Sequence, residues 1–475
     1  MIKFNISESS IYKWRYWIGY GLVAIGLIAA LIFAGMYLPG GISDQEMQSI
    51  VKSNSLNFNS LTASDLTNLP FHLLQHACIS IFGVSVLSIK LASIILAFLS
   101  AIGIILLLRR WFKPRISILA SLIAITTGQF MFIAQDGTPG ILYLFWAVWL
   151  ILLATLITAK IKSKLPIKIA FFILAALSLY TPLSIYTLIV IVLSTILHPH
   201  LRYYLKKLPR GKLLIGLIFA FLLTTPLILA TIKNPRLGLT LLGIPTKLPD
   251  FMANFASLGA QYLGFIKSRG GTLMMPFFEL GSMLIILIGI FNTFKTIATA
   301  KSHMILIWLL FLIPLIIFNP DFTGIMFLPL VLLLASGLSW ILSYWYNLFP
   351  RNPYARIGGL IPLTILVVVL VFSGIDRYVS GYRYDPDVVP NFSIDIKLIP
   401  KDMNNIVVSD EELPFYNVLA KYNKNISVST NSTAPTLLVT RKAKRNFAGY
   451  KVDRIITASN FKDSDRFYLY KKITD

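Results

Sequence analysis

Residues 86–108 carry a single charged side chain, Lys90, and the chain then meets Arg109, Arg110, Lys113 and Arg115. About 20 apolar residues are enough to cross the hydrocarbon core of a bilayer as a helix. Inside that core a helix can satisfy all of its own backbone groups. Comparable runs recur along the chain. They fall at roughly 16–38, 86–108, 116–134 and 141–159, then in a short fifth run reaching Tyr180-Thr181-Pro182 and a sixth returning by His198. Five more lie at about 213–232, 275–294, 304–318, 324–345 and 357–374. The pattern predicts an α-helical polytopic membrane protein of about 11 transmembrane helices. Only 13% of the residues are charged, about half the share usual in soluble domains.

Basic residues set the expected orientation. The net charge is +23, yet it forms no single patch. Lys3, Lys13 and Arg15 precede the first run, and further clusters follow alternate runs: Arg109 to Arg115, Lys160 to Lys168, Arg202 to Lys212, Lys295 to Lys301, and Arg351 with Arg356. This is the positive-inside distribution. It points to anionic membrane lipid as the counter-charge and away from nucleic acid. It also predicts a cytoplasmic N-terminus and an extracytoplasmic C-terminus in a cell membrane. The lone cysteine, Cys78, excludes an internal disulfide and a thiolate metal cluster. Two domains are expected, a membrane domain over 1–375 and an extracytoplasmic domain over 376–475. The second is polar and mixed in charge. Short strands at Asn405–Ser409, Asn425–Thr430, Thr436–Arg441, Arg454–Thr457 and Arg466–Tyr470 alternate with a helix over Glu411–Tyr422 capped by Asp410, which reads as a small α/β domain.

The first exterior loop, 39–85, holds Ser43-Asp44-Gln45-Glu46, an S-x-x-E capping box that starts a helix at Asp44. Both carboxylates answer the helix dipole, and a carboxylate placed there at a membrane surface can also be catalytic. A second interfacial helix begins near Pro70, with Asn68 as its cap. His72 and His76 sit i, i+4 on it. That spacing suits a metal pair, but no third ligand stands nearby, which favours two interfacial histidines. Lys90 lies near the outer end of its span and reads as snorkelling. Glu279 lies near the outer end of the eighth.

Span centres are otherwise almost free of charge, whereas an ion-coupled transporter calls for carboxylates at the midplane. The ionisable candidates gather at the exterior interface: Asp44, Glu46, Asp136, Arg236, Lys247, Lys267, Arg269 and Asp321. The loop over 233–274 is basic against the usual bias, and either an anionic ligand or lipid headgroups would account for that. Carboxylates and cations at one interface suit a reaction on a lipid-bound phosphate.

The order of motifs adds a resemblance. After the Asp44 loop come Leu69-Pro70-Phe71-His72, then Ile81-Phe82-Gly83-Val84-Ser85, Lys90-Leu91-Ala92-Ser93, the basic turn Arg109-Arg110-Trp111-Phe112, and Gln135-Asp136. This resembles the GT-C superfamily of membrane glycosyltransferases, in particular the family 39 type of protein mannosyltransferases and aminoarabinose transferases. It covers roughly 16–160 and is only topological from there to 374. Gln135 stands where that family often has a basic residue, Lys90 where it has arginine, and Gly324-Ile325 where it commonly has Arg-Tyr. The resemblance implies an inverting transfer of a sugar from a polyprenyl-phosphate donor to a glycan, lipid or protein acceptor. It implies Asp44 as catalytic base or as the group that orients the acceptor, and Asp136 as the acid of the second loop. Glu46, His72, Lys90, Arg236, Lys247, Lys267 and Arg269 complete the candidate substrate contacts, although the capping box already accounts for Glu46. No motif requires a cofactor or a metal, and a divalent cation is left open. The alternatives are a transporter or flippase of a lipid-linked substrate and a non-catalytic membrane scaffold.

Overall fold

The computed structural model describes residues 10–38, 41–56, 63–159, 165–206, 210–245, 249–264, 269–270, 274–384, 392, 396–400, 403–423, 426–457 and 465–473. Every apolar run named above contains a helix. In chain order, with the two loop helices, these are α1 (Ser10–Tyr37), α2 (Asp44–Asn54), α3 (Leu69–Phe82), α4 (Val86–Trp111), α5 (Pro114–Thr126), α6 (Gly128–Gln135) and α7 (Ile141–Thr158). They continue as α8 (Leu165–Ser178), α9 (Ser184–Leu197), α10 (Arg210–Lys233), α11 (Leu280–Lys295), α12 (Ala300–Phe318), α13 (Phe327–Leu348) and α14 (Leu360–Tyr384). Among the described residues, six helical stretches are each long and apolar enough to cross a membrane, and up to eight if each of two bent pairs counts as one span. The protein is a multi-pass membrane protein.

One bent pair is α5 and α6, which meet at 58°. Thr127 makes the break, its hydroxyl accepting from the Phe130 amide at 3.2 Å. Gly374 of α14 lies against the Thr126 carbonyl, where a Cβ would collide with backbone. A second close approach joins α11 to α13. Gly289 faces the Leu333 carbonyl and Gly337 faces the Ile285 carbonyl, again with no room for a Cβ. Small residues let membrane helices pack backbone to backbone. Gly289→Ala is therefore expected to cost about 1–3 kcal/mol by overpacking, read as a lower melting temperature of the purified protein in detergent.

Helix α14 departs from expectation. It runs to Tyr384, past the predicted end at 374, because its polar residues find partners at the bundle rim. The Tyr378 hydroxyl donates to the Leu38 carbonyl at 2.8 Å, Ser380 donates to Asp376 at 3.0 Å, and Arg377 turns inward.

The C-terminal domain contains β1 (Asn405–Val407), α15 (Leu413–Tyr422), β2 (Ser427–Ser429), β3 (Thr436–Thr440), β4 (Tyr450–Thr457) and β5 (Asp465–Lys472). The five strands form one sheet in the order β2-β1-β3-β5-β4. β1 runs parallel to β2 and β3, while β5 is antiparallel to β3 and β4. The α/β expectation holds, with two corrections. β4 begins at Tyr450 rather than Arg454. The residue before α15 is Glu412, not an Asp410 cap, and its side chain turns into the sheet to accept from Ser409 (amide 3.3 Å, hydroxyl 3.1 Å) and Thr440 (2.6 Å). A buried carboxylate needs those donors more than the helix needs a cap.

This domain does not hang free of the bundle. Ile406, Phe415, Leu419 and Leu438 share one apolar core with Ile42, Ile50, Ile79 and Ile89 of the first loop and α4. Helix α2 is thus packed between the membrane bundle and the C-terminal domain.

Candidate active site

Helix α2 starts as its sequence dictates. The Glu46 amide donates to the Ser43 hydroxyl at 3.2 Å, and the Ser43 amide donates to Glu46 Oε2 at 2.8 Å, completing the capping box. Two residues apart on a helix is about 200° of rotation, so Asp44 and Glu46 leave α2 on different sides. Glu46 points into the bundle and is fully enclosed. Its Oε1 lies 3.3 Å from Lys90 Nζ and accepts from the Gly137 amide at 2.7 Å. Lys90, also fully enclosed, donates to Gln135 Oε1 at 2.6 Å and sits over the Phe392 ring at 5.6 Å. The snorkelling expected of Lys90 does not occur, because its charge is met inside the bundle by Glu46.

Second-loop residues close around this pair. Ser93 of α4 donates to the Asp136 carbonyl at 2.5 Å, and Thr138 donates to Asp136 Oδ2 at 2.5 Å. Gly137 packs tightly here: a Cβ would come within 3.0 Å of Ile89 and 3.1 Å of Glu46 Oε1, so those side chains would have to give. Asp136 is half-buried. Its carboxyl is raised to about 7, first by burial and then by the negative charge of Glu46, against the Thr138 hydroxyl and Lys90.

Beneath α2 lies a polar seam that sequence reasoning missed. Gln75 of α3 donates to the Gly137 carbonyl at 2.9 Å and the Ile89 carbonyl at 3.0 Å. Its own carbonyl accepts from Ser49 at 2.9 Å and Ser53 at 2.6 Å. The Ser53 hydroxyl also meets His72 Nδ1 at 2.9 Å. The only signal in the sequence is the i, i+3 spacing of His72 and Gln75 on an otherwise apolar helix. His72 is buried and its imidazole is pushed down to about 3, chiefly by burial and next by Lys52, against Asp65. It is enclosed as a packing group rather than presented to a substrate. Below pH 6.5 the unfolded chain takes up a proton at this histidine that the folded chain refuses. Folding stability is expected to fall by about 1.4 kcal/mol per pH unit from 6.5 towards 3 on this account. Thermal unfolding of wild type and His72→Gln at pH 7.5 and 5 checks it, with the variant losing less on acidification.

Asp44 points the other way. Its side chain is 55% exposed and meets Lys442 of the C-terminal domain at 2.8 Å. A pocket of about 750 Å³ opens beside it, between α2 and the C-terminal domain, with Asp44, Lys52, Asp65, Glu411, Phe415 and Lys442 among its lining. Asp136 does not line it. The Lys442 ammonium is held above its usual value: burial lowers it, but its hydrogen bond to Asp44 and that carboxylate's charge outweigh burial.

The remaining candidates are scattered. Arg236 is exposed on the short helix Pro235–Leu242, with no described side-chain partner in the cluster. Lys247, Lys267 and the side chain of Arg269 lie outside the described residues. Besides Lys90, a second buried cation at this end of the bundle is Arg377, 3.8 Å from Glu279 and hydrogen-bonded to the Pro276 carbonyl. Its Nε and Nη1 are buried without a hydrogen-bond partner among the described residues. The next residue, Tyr378, is buried and its hydroxyl donates to the Leu38 carbonyl at 2.8 Å. Among the described residues no three His, Cys, Asp or Glu side chains are grouped so as to hold a metal ion.

The protein is a multi-pass bundle with an ionic cluster at one rim and a small α/β domain docked on that rim. The chain has the GT-C fold. It is similar to ArnT from Cupriavidus metallidurans bound to undecaprenyl phosphate, with 11% identity and a TM-score of 0.52 over 95% of this chain and 98% of that one. The apo form of the same protein gives 13% identity and a TM-score of 0.50 over 96% and 98%. The Archaeoglobus fulgidus oligosaccharyltransferase, tethered to an acceptor peptide containing the NVT sequon, gives 13% identity and a TM-score of 0.53 over 88% of this chain and 64% of that one. No protein-family model matches the chain, and no curated protein matches it in sequence.

Proposed function

We propose that this protein is a membrane glycosyltransferase that moves a sugar from a polyprenyl-phosphate donor to an acceptor hydroxyl at the extracytoplasmic face. The observation that carries the reading is the sorting of three carboxylates at the rim of a GT-C bundle. Glu46 is enclosed and has three partners. Asp136 is half-buried and bound by Thr138. Asp44 alone of the three opens onto the pocket. A general base must reach the proton it removes, which selects Asp44.

In this mechanism the acceptor oxygen attacks the anomeric carbon, its proton passes to Asp44, and the carbon–oxygen bond to the lipid phosphate breaks. A single displacement inverts the configuration, as a single displacement does in inverting hydrolases. The phosphate leaves with the bonding pair, and preorganised cations stabilise that charge. Arg377 is the candidate: its Nε has no hydrogen-bond partner among the described residues, its Nη1 faces Glu279 at 3.8 Å, and a guanidinium fork matches phosphate geometry. Asp136 and the Glu46–Lys90 pair hold the second loop in place. The basic clusters Arg109 to Arg115 and Lys295 to Lys301 gather at the opposite end of the bundle, where Lys301 stacks on Phe112 at 4.5 Å. By the positive-inside rule that end is cytoplasmic, so the site and the C-terminal domain face outward. The test is sugar transfer in membranes supplied with polyprenyl-phosphate sugars, with Arg377→Met expected to weaken use of the donor and a chain lacking any transfer activity overturning the reading.

A further inference from the structure

We infer that the pocket between α2 and the C-terminal domain is the acceptor site, and that it takes a neutral saccharide ring. The inference rests on the transferase reading for the word acceptor, and on the pocket alone for the saccharide. At about 750 Å³ the pocket falls in the size range that encloses small organic ligands. Its composition is specific. Three carboxylates, Asp44, Asp65 and Glu411, stand among two lysines, Lys52 and Lys442, although the chain as a whole is strongly basic.

Neither lysine is free to meet an anion. Lys442 lies 2.8 Å from Asp44 and 4.0 Å from Glu411. Lys52 donates to the Thr67 carbonyl at 3.1 Å, and burial, opposed by Asp65, holds its ammonium below the usual value. An anionic acceptor would meet surplus carboxylate. Hydroxyl groups suit the lining better, since each donates to a carboxylate and accepts from an ammonium at the same time. Met47, Val51, Pro414 and Phe415 supply apolar wall, the complement of the C–H faces of a sugar ring.

The two sides of the pocket come from different domains, and this gives the C-terminal domain a task. The stripe that α2 presents, Asp44, Gln48, Val51, Lys52 and Ser55, follows helical spacing. The opposite wall is supplied by Glu411, Pro414, Phe415 and Lys442. Lys421 reinforces the closure by donating to Asn54 at 3.2 Å. The membrane domain by itself would hold only half of the site.

The experiment is saturation-transfer NMR on the full chain in phosphatidylcholine nanodiscs, with the methyl glycosides of glucose, galactose, mannose and arabinose as probes. At least one glycoside is expected to receive saturation, and the signal is expected to weaken about tenfold or more in Glu411→Ala/Lys442→Ala, which removes two hydrogen-bonding groups. Glu411 is 83% exposed and Lys442 35%, so the variant keeps the shared core; an unchanged melting temperature verifies this. No signal from any glycoside, equal signals in wild type and variant, or binding of a serine- and threonine-containing peptide in place of the glycosides overturns the inference. Variant-sensitive glycoside binding in a protein that transfers no sugar supports the pocket and counts against the transferase.

Discussion

Glu46→Gln is expected to lower the stability of the folded protein by about 3–5 kcal/mol, the usual cost of breaking a buried ion pair by removing one partner. Lys90 is fully enclosed and Glu46 is its only described ion-pair partner. With Glu46 neutral, Lys90 keeps the Gln135 carbonyl at 2.6 Å but no opposing charge. The Gly137 amide and the Ser43 amide, at 2.7 Å and 2.8 Å from the Glu46 carboxylate, would each trade an anionic acceptor for a neutral one. The readout is the melting temperature in detergent, together with the fraction of protein that elutes as a monodisperse peak. The double variant Glu46→Gln/Lys90→Met separates charge from shape. If the loss comes from an uncompensated ammonium, the double variant recovers most of it, because replacing a whole buried pair by neutral groups is often close to neutral. A double variant as unstable as the single one would show instead that the capping and second-loop hydrogen bonds carry the effect.

That pair marks where the sequence stops being informative. The spans, the α/β domain and the capping box are all local patterns: apolar length, alternation, and S-x-x-E spacing. Each produced secondary structure in place, with α2 beginning at Asp44, although among the described residues six to eight helical stretches, against about 11 expected, are long and apolar enough to span. The separation of Asp44 from Glu46 was also legible, since residues at i and i+2 do not share a helix face. Local spacing could not show which side faced the bundle. That depends on Lys90 and Gly137 meeting Glu46, which requires α4 and the second loop to close over α2. Arg377 was hidden for a different reason. Apolar length alone ends its span at 374, yet hydrogen bonds from Tyr378 to Leu38 and Ala34 carry the helix three turns further and draw the arginine inside. Lys442 lies in a domain with no motif of its own, and only the docking of that domain brings it to Asp44.

Asp44→Asn is the substitution expected to affect sugar transfer most, with a loss of about 10²–10⁴-fold, the range general-base groups contribute. The same change should leave the melting temperature almost untouched. Asp44 is 55% exposed and its partner Lys442 is 35% exposed, and an exposed ion pair contributes about 0–1 kcal/mol. Asparagine is also accepted in the first turn of a helix whose cap, Ser43, is unchanged. Glu46→Gln and Asp44→Asn therefore differ in kind, although the residues are two apart: the first should unfold the rim, the second should leave a folded protein that binds donor and does not turn over. Lys442→Met sharpens the contrast. It frees the Asp44 carboxylate of its partner without removing it, so a positioning role predicts a raised KM for the acceptor and a smaller change in kcat, rescued in part by Lys442→Arg. Transfer that persists unchanged in folded Asp44→Asn would take Asp44 out of the mechanism. Asp136 would then be the next carboxylate to test, because a half-buried acid raised to about 7 is poised for proton transfer near neutral pH, and its loss would show as a transfer rate that no longer falls as the pH drops below 7.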